Sequence, residues 1–145
     1  MINNFNYKIV VFLMGVLLLV NGGFMLLSSL ISLFSNDGFV EKITISSLIV
    51  ISAGFVFLFF GRGYEKQIQK REGYLIVTLG WILMSITGTI PYIMTGVIPQ
   101  FSSSFFESMS GYTTTGATII EKIDSLPKGI LSVSYTHLTL PTTSS

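Results

Sequence analysis

From residue 9 to residue 34 the chain reads IVVFLMGVLLLVNGGFMLLSSLISLF, without one charged side chain. Such a run exceeds the roughly 20 apolar residues that cross the hydrocarbon of a bilayer. With no water there to bond backbone groups, the segment must close its own hydrogen bonds, and it predicts a transmembrane helix. A cleaved secretory signal is the competing reading. It would need an apolar region of roughly 7–15 residues ending in a small-residue cleavage site, and the run fits neither requirement. Asn21, Gly22 and Gly23 fall near the middle of the helix. Small residues there admit a neighbouring helix, and an amide can hydrogen-bond across the interface.

The whole chain agrees with that start. Hydrophobic residues make up 50% and charged residues 10%, with a mean hydropathy of +0.72, whereas soluble domains are roughly 25% charged. This is the composition of an integral membrane protein. A net charge of +1 and scattered Lys and Arg lack the basic stripe that nucleic acid requires. The absence of cysteine rules out disulfides, thiolate metal sites and a Cys nucleophile, and the single His137 cannot form a zinc cluster alone. No paired carboxylates or Ser/His/Asp set falls at membrane depth, so neither an enzyme nor a resident cofactor is expected.

A second span is predicted over 43–60, with Ser46, Ser47, Ser52 and Gly54 as small packing positions, after a turn signal at Ser35, Asn36, Asp37 and Gly38. Residues 61–74, GRGYEKQIQKREGY, are the most charged stretch and predict a water-exposed loop. That loop holds Arg62, Lys66, Lys70 and Arg71 against Glu65 and Glu72, while the earlier one has Asp37 and Glu41 against Lys42. Positive charge concentrates on the cytoplasmic side, so the 61–74 loop and the N-terminus with Lys8 lie inside and the 35–42 loop outside. The expected location is the cytoplasmic (inner) membrane. A third span over 74–94 then runs outward, loosened or kinked near its end by Gly88 and by Pro91, which cannot donate to the preceding turn. Trp81 and Tyr92 read as interfacial or packing aromatics.

The sequence changes character after residue 101. Ser102, Ser103 and Ser104 are N-cap candidates, and Ser104 with Glu107 fits a capping box. A short helix over 105–111 is expected. It cannot continue through Gly111-Tyr112-Thr113-Thr114-Thr115-Gly116, where two glycines and consecutive β-branched residues disfavour helix. Irregular backbone at membrane depth survives only where it is buried in protein or faces water. The parts therefore predict a re-entrant hairpin: a half-helix descending from outside and an extended Thr/Gly strand returning. Backbone carbonyls and Thr hydroxyls on such a strand can replace the water shell of a cation, and Gly116 lacks the Cβ that would block the necessary backbone angle.

The stretch TGTIPYIMTG, followed by FFESMSGYTTTGATIIEKIDSLPKGIL, closely resembles the first pore repeat of the Trk/Ktr/HKT superfamily of potassium transporters, in particular its Trk-type branch. The resemblance covers about residues 74–131 by motif and the preceding region by layout. It implies an all-α membrane fold of four helix–pore-loop–helix repeats around one pore, with two extra helices in front. Carried onto this chain, it puts the potassium filter on Thr113, Thr114, Thr115, Gly116 and Ala117 and makes 105–111 the pore helix. For Glu107 it leaves helix capping or a field at the outer mouth. It further implies a homodimer and a cytoplasmic nucleotide-binding regulatory subunit.

Three units follow: two leading helices and a loop over 1–73, half of pore repeat one over 74–131, and a tail over 132–145. The tail, SVSYTHLTLPTTSS, lacks a spanning run and a helical period and is similar to translated adapter sequence, so it is expected to be non-native, with no role for His137. The chain accordingly reads as an N-terminal fragment, inactive alone. Two rival readings are a small channel assembled from single repeats and a three-span accessory or assembly protein with no pore of its own.

Overall fold

The structure is a computed structural model that describes residues 6–36, 38–63, 70–119 and 128–137. Five α-helices follow in order: α1 (Tyr7–Ser35), α2 (Val40–Phe60), α3 (Lys70–Thr95), α4 (Phe101–Tyr112) and α5 (Lys128–His137). The first three are long and apolar enough to cross a membrane. Val20, Leu27, Phe34, Phe55, Phe59 and Trp81 are exposed on their outer faces, a distribution suited to lipid or to further protein rather than to water.

Helices α1 and α2 are antiparallel, because residues near the start of one touch the end of the other. A Cβ built on Gly15 would lie 2.8 Å from the Leu58 nitrogen, one on Gly22 2.5 Å from Ile51, and one on Gly61 2.6 Å from Phe12. The two backbones approach closely along this seam, as small residues permit in helix pairs within membranes. Asn36, left-handed at φ 53°, turns the chain between them. Ser46 and Ser47 are buried as expected, but Ser52 is exposed. The buried serines are satisfied within their own helix: Ser46 donates to the Lys42 carbonyl at 2.7 Å and Ser47 to that of Thr44 at 2.7 Å.

Helix α3 runs parallel to α1. Asn6 N–H donates to Glu72 at 2.7 Å, Leu17 packs on Gly80, and Asn21 meets Thr87. The expected charged loop is therefore shorter than 61–74: Lys70, Arg71 and Glu72 already belong to α3, and Glu72 is only 1% exposed. Long charged side chains are good helix formers, and the α1 terminus supplies Glu72 with a donor. Residues 64–69, with Glu65 and Lys66, lie outside the described residues. Pro91 does not end α3, which continues to Thr95. Tyr92 is buried with Ile43, Ile98, Ile130 and Val133 in a cluster that joins α2, α3 and α5.

Residues 128–137 are helical, contrary to the expectation that the tail has no helical period. Here packing overrides a sequence of modest helix propensity. Ile130 and Val133, one turn apart, are buried in that cluster, and Gly129 lies against Ser32 of α1 and Ile43 of α2. Residues 138–145 are outside the described residues.

Candidate functional site

Helix α4 turns back along α3. Ser104 Oγ donates to the Ile98 carbonyl at 2.7 Å, Ser85 contacts Met109 Sδ at 3.0 Å, and Tyr112 lies against Gly88. Its last residue, Tyr112, hydrogen-bonds Asn21 at 2.6 Å, at the midpoint of α1. Since α3 and α1 both span, the short helix stops at about half depth.

The expected cap is absent. The helix begins at Phe101 with Gln100 in the cap position, so Ser102, Ser103 and Ser104 are all helical and no box joins Ser104 to Glu107. Starting the helix earlier puts Ser104 within reach of the Ile98 carbonyl and frees Glu107 for another partner. Its Oε1 accepts from Thr118 Oγ1 at 3.0 Å, and its Oε2 accepts from the same hydroxyl at 3.2 Å and from the Ile119 N–H at 3.0 Å. Glu107 lies about 7.5 Å above Tyr112 along the helix axis at 1.5 Å per residue. A chain that leaves Tyr112 and returns to Glu107 by residue 118 has doubled back, which makes the hairpin.

The return segment is pinned to the helix at several points. Thr113 N–H and Oγ1 both donate to the Met109 carbonyl, Thr114 N–H to Gly111 and Thr115 N–H to Ser110. The Thr113 and Thr115 hydroxyls lie 2.8 Å apart. Ser110 Oγ donates to the Ala117 carbonyl at 2.6 Å. Two residues hold left-handed angles, Thr114 at φ 54° and Gly116 at φ 74°. The glycine fits without strain, but for a β-branched residue this is a genuine outlier. Strain of this kind costs about 1–3 kcal/mol and gathers where a loop is held for a purpose.

All five residues expected to form the filter are thus consecutive on the return, and Thr114 to Thr118 are exposed. Ala117 has its carbonyl engaged by Ser110, while Thr114 and Gly116 are exposed. Sequence reasoning missed Asn21, Gly88 and Ser110 as parts of the site. Behind the helix is a cavity of about 10 Å³ lined by Met25, Gly88, Tyr92, Glu107, Ser108 and Tyr112. Ser108 Oγ is buried there without a hydrogen-bond partner among the described residues.

Three spanning helices with a fourth folded back to half depth define a multi-pass, all-helical membrane protein. The chain belongs to the TrkH family of cation transport proteins, whose sequence profile matches residues 40–140. It is 32% identical over 127 residues to the Trk system potassium uptake protein TrkH of Salmonella typhimurium, covering 87% of this chain and 26% of the relative. The TrkH of Halomonas elongata is 34% identical over 125 residues, covering 86% and 26%. The crystal structure of the potassium transporter TrkH from Vibrio parahaemolyticus matches with a TM-score of 0.85 at 30% identity, covering 92% of this chain and 29% of that one. The chain thus spans about a quarter of the length of the curated relatives it matches.

Proposed function

We propose that this chain is the amino-terminal part of the pore-forming subunit of a potassium-uptake system, and that Thr113, Thr114, Thr115, Gly116 and Ala117 form one of its filter strands. The observation that carries the reading is the strained Thr114 beside left-handed Gly116 on a hairpin pinned at Glu107. A loop held in that form can present carbonyls and hydroxyls to a cation stripped of water. The names of the relatives supply the ion. That the chain covers only 26% of a similar relative supports a fragment, which supplies about a quarter of the coordination of a four-loop filter and conducts nothing alone.

In this reading potassium moves inward across the cytoplasmic membrane, the N-terminus is cytoplasmic and the hairpin enters from outside, as the excess of Arg62, Lys70 and Arg71 at one end favours. The full-length protein pairs as a homodimer and takes a cytoplasmic nucleotide-binding regulatory subunit. The chain carries no catalytic step. The test is potassium uptake in a potassium-requiring host by the full-length gene with Gly116→Ala or Gly116→Ser. The expected result is loss of uptake or of potassium-over-sodium preference, and unchanged values for both would sink the filter reading.

A further inference from the structure

We infer that Asn21, in a leading helix outside the pore repeat, is a positioning residue for the filter, acting through Tyr112. The inference rests on the filter reading above. Tyr112 is the last residue of α4, immediately before Thr113, so whatever fixes Tyr112 fixes the start of the strand.

Contacts to α1 and α3 fix it. The ring lies against Gly88, where a Cβ would be 3.0 Å from Cε2 and 3.1 Å from the hydroxyl oxygen. The hydroxyl donates to Asn21 Oδ1 at 2.6 Å, and Asn21 Nδ2 donates to Thr87 Oγ1 at 3.0 Å. Thr87 in turn has its proton directed to the carbonyls of Leu83 and Met84, each at 3.0 Å. Because that proton is committed to the helix, Thr87 can only accept from Asn21. The amide orientation is thereby set, with its oxygen left for the Tyr112 proton. Asn21 is completely buried, and every polar atom of its side chain that these partners can use is aligned in one direction from Tyr112 to α3. An amide at membrane depth is costly unless it is bonded, so the chain Tyr112–Asn21–Thr87 has one low-energy arrangement, and it holds Tyr112, the residue before the filter, against two spanning helices.

The experiment uses the full-length subunit in a potassium-requiring host. Half-saturation, maximal rate and potassium-over-sodium preference are measured for Tyr112→Phe, Asn21→Leu, Thr87→Val, Thr87→Ser and the Asn21→Leu/Tyr112→Phe pair, each normalised to membrane abundance. Tyr112→Phe and Asn21→Leu should each lower ion preference roughly three- to twentyfold, the worth of one hydrogen bond at membrane depth. The pair should be no worse than its worse member, and Thr87→Ser should retain the preference that Thr87→Val loses. Tyr112→Phe keeps its ring on Gly88, so it decides the question even where Asn21→Leu lowers abundance. Unchanged preference in Tyr112→Phe, or effects that multiply in the pair, overturns the inference. Gly116→Ser is the control. If it alters preference while Tyr112→Phe does not, only the positioning role fails; if it too is silent, the filter reading fails and this inference with it.

Discussion

The carboxylate of Glu107 and the hydroxyl of Thr118 meet at 3.0 Å across eleven residues of chain, and the same carboxylate takes the Ile119 N–H. One side chain therefore sets the height at which the return strand leaves the hairpin. Hydrogen bonds to a charged group contribute about 1.5–3 kcal/mol. Glu107→Ala should weaken potassium uptake at limiting potassium roughly tenfold or more. Glu107→Gln, which keeps one acceptor but offers an N–H where Ile119 also donates, should fall between. Uptake kinetics over a range of external potassium check the order, and equal loss in both variants would contradict it.

Thr114 is held at φ 54° against the preference of a β-branched side chain. Replacing it by glycine removes a cost of about 1–2 kcal/mol but also removes the hydroxyl and loosens the loop. Thr114→Gly should leave the thermal midpoint of the purified protein unchanged or higher while reducing potassium-over-sodium preference. A midpoint below that of Thr114→Ala, which loses the hydroxyl but keeps a Cβ at the same angle, would mean that the angle is not strained.

Gly88 is where α4 lies on α3. A methyl group there would press on Tyr112 and on Ser108 Oγ, 3.1 Å away, and overpacking of this size costs about 1–3 kcal/mol. Gly88→Ala should lower both stability and ion preference, and Gly88→Leu should prevent accumulation in the membrane. Immunoblots of membrane fractions alongside uptake distinguish the two.

Glu72 provides the contrast, since it is buried far from the hairpin and accepts from Asn6. Glu72→Ala leaves that donor without this acceptor, a loss of about 1–3 kcal/mol. The melting temperature in detergent should fall while ion preference stays at the wild-type value. A changed preference would show that the start of α1 is coupled to its midpoint, where Tyr112 is bonded.

How much of this was legible in the sequence follows from how local each feature is. The three spans and the hairpin were readable because uncharged length and the Thr/Gly run are properties of contiguous residues. The capping box misleads for the same reason: Ser104 and Glu107 have the right spacing, but a start at Phe101 moves both inside the helix, and Glu107 bonds Thr118 and Ile119 instead. The charge of Lys70 to Glu72 suggests a loop in water, yet the buried Glu72 carboxylate accepts from Asn6, 66 residues away. Asn21 in mid-helix suggests an amide that bonds across an interface, but nothing near it in the sequence points to Thr87 or Tyr112, which are 66 and 91 residues away. The helix at Lys128–His137 depends on Ile130 and Val133 finding α2 and α3, a tertiary event with weak local signal.

The order of Asn21, Thr87 and Tyr112 along the chain bears on how the protein is made. A ribosome releases residues from the N-terminus onward, at about 5–20 per second, so both helices that receive Tyr112 are synthesised before it. Until α4 emerges, the Asn21 carbonyl oxygen waits in the bilayer without its phenol. The arriving hairpin then meets partners already synthesised, so these contacts of Tyr112 wait on no residue made after it.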